Sequence, residues 1–378
     1  MKKILVFYGS YGGGHLSAAK SIEKHIKENY KDTEIKLVDC MEYINKRLNK
    51  LLAESYNEAA KKAPWAWKRA YNMSNDGFFT SKAVTTSNRL FSIKLNKLLQ
   101  DFKPDIIIST HPFGSQMCNF LKKRKKINCE LATVLTDFHI HGQWLIFHEY
   151  CDYFFVANEQ MKSDMIEYGI DEEKIYISGI PVSNKFQENF DRELIAQEFE
   201  LDPNKQIALF FVGGEFGLGN KTTVMVLKAL IRLFSKLQVV AISGKNQKMN
   251  QKLNELVKNT ESEDRIKVLK YTNKVPELMS VSEFVITKPG GLTSTESLVS
   301  HLPMVIINPI PGQEDENANF LVKNGVAIWI KKNDNVARSL KNLYRNPTKL
   351  SDMKQNAIKL AKPNSTKYIC EILLKKEL

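Results

Sequence analysis

The five cysteines of this 378-residue chain, Cys40, Cys118, Cys129, Cys151 and Cys370, lie far apart. None has the C-x-x-C partner that a zinc or dithiol site needs, so the set reads as reduced thiols inside the cell. No apolar run approaches the roughly 18 to 20 residues that cross a bilayer, and the opening MKKILVFYGS enters a strand with no cleavable signal pattern. The G-K-[ST] ending of a P-loop is missing, which disfavours nucleoside triphosphate hydrolysis. Helix-turn-helix, zinc-finger and RNP signatures are missing too, which counts against a nucleic-acid partner. Low-complexity segments and short-period repeats are absent.

What remains is an ordered globular composition, with 43% hydrophobic, 10% aromatic and 26% charged residues. The length suits two domains of roughly 150 to 190 residues. Lys and Arg number 55 against 42 Asp and Glu, a formal charge of +13. Such an excess implies an anionic partner, and nucleic acid, an acidic membrane face and a phosphorylated substrate all fit it.

Strand and helix patterns alternate almost throughout, which predicts an α/β protein with parallel sheets wrapped by helices. Strands are expected at 4–8, 34–39, 105–110, 131–136 and 153–157, then at 239–243, 266–269, 284–287 and 304–308, with helices over most of 335 to the end. The pattern breaks around Gly179, Pro181, Asp202 and Pro203. We therefore divide the chain into domains 1–185 and 186–378, with the final helix able to pack back on the first. Beyond the break, IALFFVGGEFGLGNKTTVMVL repeats the plan of KILVFYGSYGGGHLSAAKSI: apolar strand, glycine-rich turn, helix.

Glycines in Gly9-Ser10-Tyr11-Gly12-Gly13-Gly14-His15 sit where a buried strand turns into a helix. The turn exposes N–H groups at a helix N-terminus, where an electron-rich group docks. A dinucleotide fingerprint is the rival, because Asp39 ends the next strand at the distance of a ribose ligand; Ser17 at the third glycine position fits it poorly. The second loop contains Gly213, Gly214, Gly217 and Gly219. Lys288-Pro289-Gly290-Gly291-Leu292-Thr293-Ser294-Thr295-Glu296 follows a strand and opens a helix, so Gly290, Gly291 and Thr293 offer donors to a diphosphate. Glu296 is placed for vicinal ribose hydroxyls or is ordinary helix charge. In Pro311-Gly312-Gln313-Glu314, the amide and carboxylate suit sugar hydroxyls.

These segments resemble glycosyltransferase family 28, and nearest within it the diacylglycerol glycosyltransferases. The resemblance rests on Gly12-Gly13-Gly14-His15, Thr110-His111-Pro112-Phe113, Thr136-Asp137-Phe138 with His141 and Trp144, Lys288-Pro289-Gly290-Gly291 to Glu296, and Pro311-Gly312-Gln313-Glu314 to Asn317. The last two also resemble the peptidoglycan N-acetylglucosaminyltransferase. The resemblance implies a GT-B fold, two Rossmann-like domains around a cleft, with a UDP-hexose held by the C-terminal domain and diacylglycerol by the N-terminal one. By it, uracil lies near Tyr271 and Thr272, the ribose on Glu296, and the diphosphate on Gly290 and Gly291 with Gly214. Pro289, Thr293 and Asn317 belong to the same donor site, and Gln313 and Glu314 hold the hexose. Gly13, Gly14, His111, Pro112, Phe113, His141 and Trp144 form the acceptor side. His15 is the general base, or orients it with Asp137, which is the competing base. Glu215 follows Gly214 where the peptidoglycan enzyme has a serine.

The implied reaction is an inverting transfer, with glucose the expected hexose and further sugars possible on the first product. No D-x-D motif is present to hold a metal against the diphosphate. Neither metal nor cofactor is expected, the leaving group being stabilised by helix N-termini and backbone donors. A lipid acceptor implies peripheral docking at the cytoplasmic membrane face. The basic, leucine-bearing segment 45–71 suits an anionic surface, above all Trp65, Trp67, Lys68 and Arg69, and Lys122 to Lys126 adds charge. The alternatives are a UDP-sugar transferase or epimerase acting on a non-lipid substrate, and a basic nucleic-acid-binding protein.

Overall fold

The computed structural model describes residues 1–10, 13–47, 65, 69, 82–213 and 218–374. By packing, the chain forms two compact units, Met1–Ser183 with Ile310–Glu316 and Lys362–Leu378, and Asn184–Pro309 with Asn317–Ala361. Each is built on one six-stranded, wholly parallel sheet.

In the first unit the strands are β1 (Lys2–Tyr8), β2 (Thr33–Asp39), β3 (Ile106–Ser109), β4 (Glu130–Val134), β5 (Tyr153–Val156) and β6 (Ile175–Ile177), in spatial order 2-1-3-4-5-6. Helices α1 (Gly14–Asn29), α2 (Lys82–Phe102), α3 (Pro112–Lys123) and α4 (Glu159–Glu167) lie between them in the chain. Both faces of a parallel sheet are covered, so its strands read as continuous apolar runs; β3 and β5 are buried at every residue. One face buries Ile4, Val6, Ile106, Ile108, Ala132, Val134 and Phe155 against Ala19, Ile22 and Ile26 of α1. Ile369, Cys370 and Leu373 from the last described helix, Ser365–Leu374, join this core, and Ser365 and Thr366 donate to the carbonyls of Gly179 and Val182.

In the second unit β7 (Ile207–Phe211), β8 (Gln238–Ile242), β9 (Ile266–Leu269), β10 (Phe284–Thr287), β11 (Met304–Ile307) and β12 (Ala327–Ile330) pair in the order 12-11-10-7-8-9. After Arg192–Glu198 (α5), its helices are α6 (Asn220–Leu233), α7 (Gln247–Asn259), α8 (Val275–Ser280), α9 (Gly291–Val299), α10 (Gln313–Lys323), α11 (Val336–Tyr344) and α12 (Pro347–Leu360); Ser365–Leu374 is α13. Arg192 ties the start of this unit together, its guanidinium donating to the carbonyls of Pro203, Val281 and Lys205. The expected strands are present with ends shifted by at most two residues. Two strands, β6 and β12, were not anticipated.

Strand order reverses between β1 and β3 in the first unit and between β7 and β10 in the second. The crevice beyond the carboxyl ends at such a reversal is where open parallel sheets bind ligands. The described residues at the start of the turns after β1 and β7, and the turn after β10, follow the carboxyl ends of those strands.

Candidate active site

Three loops of the first unit converge on His15, which sits in the first turn of α1. Gly13 precedes that helix with φ −77°, and a Cβ there would meet nothing within 4 Å. Neither backbone nor packing demands glycine at this position; its bareness leaves open space before the N-terminus of α1. Gly9 differs, because a Cβ there would stand 2.6 Å from Cδ2 of His111. That ring fills the space beside the turn.

The half-buried His15 ring is gripped through Nδ1, which lies 2.6 Å from the carbonyl oxygen of Thr110 and 3.0 Å from Oγ1 of Thr136. A carbonyl can only accept, so Nδ1 carries the proton and Nε2 keeps its lone pair. Thr110 also donates its hydroxyl to the backbone oxygen of His15 at 2.9 Å and its N–H to Phe7 at 2.9 Å. The loop after β3 thereby fixes both the ring and the backbone of a residue 95 positions earlier.

His111 and His141 take the opposite tautomer. Nδ1 of His111 accepts the N–H of Phe113 at 3.3 Å, capping α3, and Nδ1 of His141 accepts the N–H of Gln143 at 3.3 Å, so each carries its proton on Nε2. The rings of His15 and His111 meet edge to face at 4.6 Å, and Phe113 lies 4.9 Å from His111. Burial holds all three imidazoles below the usual histidine range. For His15 the nearby Asp137 carboxylate and the Thr110 hydrogen bond partly offset it. His111 is pushed well down, with His15 and His141 adding to burial, and His141 falls to about 3. Near neutral pH the cluster is one base and two donors, all uncharged.

Asp137 is 4% exposed and accepts a hydrogen bond from Nε2 of Gln313, whose loop packs with this unit. Pro112 is buried in the first turn of α3. Trp144 is also buried, its Nε1 having no hydrogen-bond partner among the described residues, and its ring lies 6.1 Å from His141. Asp39 is committed elsewhere: it accepts from the Ser10 hydroxyl and from the N–H groups of Met41 and Glu42. The dinucleotide alternative loses its ribose ligand.

In the second unit Gly290 precedes α9 with φ −66°, and a Cβ there again meets nothing. No side chain among the described residues caps the helix that begins at Gly291, behind the buried Pro289. Thr295 and Ser297 return their hydroxyls to helix carbonyls, whereas the buried hydroxyl of Ser294 has no partner among the described residues. Thr293 is half-buried. Glu296 stands in the same helix, and burial alone pushes its carboxyl up to about 8. Tyr271 is 72% exposed, and the Thr272 hydroxyl accepts the N–H of Lys274 at 3.1 Å.

Glu314 accepts the N–H of Ile310 at 2.5 Å, Asp315 accepts that of Gly312 at 3.2 Å, and Asn317 is fully buried. One Glu314 oxygen therefore holds its own loop. The expectations for Gly214, Trp67 and Lys68 lie outside the described residues. Trp65 is 74% exposed and Arg69 is exposed. Among the described residues no helix is long and apolar enough to cross a membrane.

Sequence reading did not single out Asn308, whose Nδ2 donates to the Leu218 carbonyl at 2.7 Å and pins the end of the second glycine-rich loop. Nor did it give roles to Thr110 and Thr136. Their positions inside the quoted motifs were the available signal.

Comparison with known proteins agrees with this layout. Residues 15–182 match the family model for monogalactosyldiacylglycerol (MGDG) synthase, and residues 208–369 match that for the glycosyltransferase family 28 C-terminal domain. The processive diacylglycerol beta-glucosyltransferase of Bacillus pumilus is 30% identical over 375 residues, covering 98% of this chain and 94% of the relative. Among solved structures, the S. aureus MnaA–UDP co-structure aligns with a TM-score of 0.66 at 15% identity, over 99% of this chain and 97% of the other. MurG of Acinetobacter baumannii aligns with a TM-score of 0.65 at 14% identity, over 99% and 100%. These structural likenesses establish the fold, a pair of Rossmann-like units of the GT-B kind.

Proposed function

The chain belongs to the family of diacylglycerol glycosyltransferases that joins an MGDG-synthase-type front half to a family 28 C-terminal domain, and from that premise we propose that it moves glucose from UDP-glucose to the hydroxyl of diacylglycerol. The observation that carries this reading is the match to a diacylglycerol glucosyltransferase over nearly the whole of both chains.

In this reading the first unit supplies the base and the acceptor contacts, and the second holds the donor. The acceptor oxygen attacks the anomeric carbon as the bond to UDP breaks from the opposite face, giving a β-linked product. The acceptor proton passes to Nε2 of His15, the lone pair left free by the Thr110 contact. Support for this assignment is the neutrality of His15 near pH 7; a charged imidazole has no lone pair to offer. Asp137 raises the basicity of that ring, its own Oδ2 taking the Gln313 amide. On the donor side, the unpartnered Ser294 hydroxyl and the bare start of α9 suit a diphosphate, and Glu296 suits the ribose. The departing charge is met by backbone N–H groups and the helix dipole, with no metal in the scheme.

The enzyme works at an anionic, cytoplasmic membrane face. Supporting this, Lys123, Arg124, Lys125 and Lys126 are exposed together at the end of α3, with Lys123 over Phe147 and Arg124 over Phe120. The test is incubation with diacylglycerol in anionic vesicles and labelled UDP-glucose or UDP-galactose, followed by lipid separation. Label from UDP-glucose in a glycolipid is the expected result. Consumption of donor without labelled lipid moves the chain to a non-lipid substrate.

A further inference from the structure

We propose that Thr136 is a positioning residue for the transfer: its hydroxyl is the second acceptor on Nδ1 of His15 and, with the Thr110 carbonyl, keeps the ring in the one tautomer that leaves Nε2 free. The proposal rests on His15 being the base.

Three observations carry it. The hydroxyl of Thr136 lies 3.0 Å from Nδ1, on a residue only 5% exposed, so water does not replace it when it is lost. The Thr110 carbonyl, 2.6 Å from the same nitrogen, excludes the alternative in which Thr136 donates, because two lone pairs would then face each other. Finally, the two acceptors come from the loops after β3 and β4 while the ring comes from the turn after β1, strands adjacent in the sheet. The ring plane is thus set by the sheet itself rather than by α1 alone.

The consequence is chemical. When Nε2 takes the acceptor proton, Nδ1–H becomes a cationic donor, and both oxygens strengthen their hold on it. Neither oxygen is charged, so the resting imidazole stays neutral, unlike one backed by a directly bonded carboxylate. Asp137, His111 and His141 are the titrating groups around the ring, and none of them occupies Nδ1 in the contacts described above.

Thr136→Val removes the hydroxyl and keeps the volume. In the vesicle assay kcat should fall about tenfold to a hundredfold, the worth of one hydrogen bond to a charged group, while KM for UDP-glucose stays within about twofold. The acid limb of the pH profile should move to lower pH by about one unit, because the protonated ring loses an acceptor that favoured it. Thr136→Ser, which restores the hydroxyl, should recover most of both effects. Nitrogen NMR of labelled histidine gives a reading independent of turnover: the Thr110 carbonyl keeps His15 in the Nδ1–H tautomer in both proteins, and the titration midpoint of the ring should fall by about one pH unit in Thr136→Val. An unchanged kcat, pH profile and ring titration midpoint in Thr136→Val, with His15→Ala inactive, overturns the proposal alone. Full activity in His15→Ala removes the base reading beneath it, whatever Thr136→Val does.

Discussion

Replacing His15 by alanine should lower glycolipid formation by about a hundredfold to ten-thousandfold, the usual worth of a positioned general base, with UDP-glucose affinity unchanged. The separation follows from the fold. His15 belongs to the first unit, held by Thr110 and Thr136, whereas the bare helix start at Gly290 and Gly291, Ser294 and Glu296 all belong to the second. Calorimetric titration of UDP-glucose into the variant, beside the vesicle assay, measures both halves of the expectation. The sign of the pH dependence is fixed as well. Burial depresses the His15 pKa, so the ring remains a competent base below the usual histidine midpoint, and activity limited by it should fall only on further acidification. A variant that keeps parental turnover removes His15 from the chemistry and leaves Asp137 as the base.

The second large effect concerns Glu296. Its carboxyl is pushed up to about 8 by burial. Two vicinal ribose hydroxyls donate best to the ionised form, so binding and ionisation are linked. Below pH 8 most free protein carries the protonated acid, and donor binding must expel that proton. UDP-glucose affinity should therefore rise about tenfold between pH 7 and pH 9, with close to one proton released per ligand at pH 7, as follows from a pKa near 8. UDP-glucose is preferred to UDP for this measurement because its diphosphate does not titrate in the range. Glu296→Gln should flatten the profile and bind more weakly at pH 9. Titration in buffers of different ionisation enthalpy counts the proton directly, and an affinity independent of pH in the parent protein would separate Glu296 from the nucleotide.

Much of the scaffold was legible because parallel strands covered on both faces leave continuous apolar runs, as in Ile4 to Phe7 and Phe284 to Ile286, and because glycine marks the turns that follow. β6 and β12 escaped for local reasons. The first is three residues at a sheet edge with only Ile175 buried. The second is the run AIWI, whose two middle residues are only half-buried. The packing of 310–316 with the first unit had no signal in the sequence, since these residues directly follow a strand of the second.

At the site, residue types were readable and commitments were not. The placing of His15, His111, Asp137 and His141 in one group follows from strand order, which the turns only suggest. Asp39 shows the limit: its distance from the glycine turn fits a ribose ligand, yet its oxygens hold Ser10, Met41 and Glu42. Glu314 likewise has the right chemistry for a sugar and spends one oxygen on Ile310. Thr110 and Thr136 are the converse case. Each is an ordinary residue after a strand, and its role exists only because a ring 95 or 121 positions away arrives at hydrogen-bond distance.

The proposed reaction is a single displacement at the anomeric carbon of UDP-glucose by a lipid hydroxyl whose proton goes to His15. The anomeric configuration of the first glycolipid formed, read by proton NMR on product isolated from the vesicles, tests that most directly. A β-glucosyl diacylglycerol from the α-configured donor is the predicted result. An α-linked product would contradict single displacement, and a labelled product without diacylglycerol would contradict the acceptor.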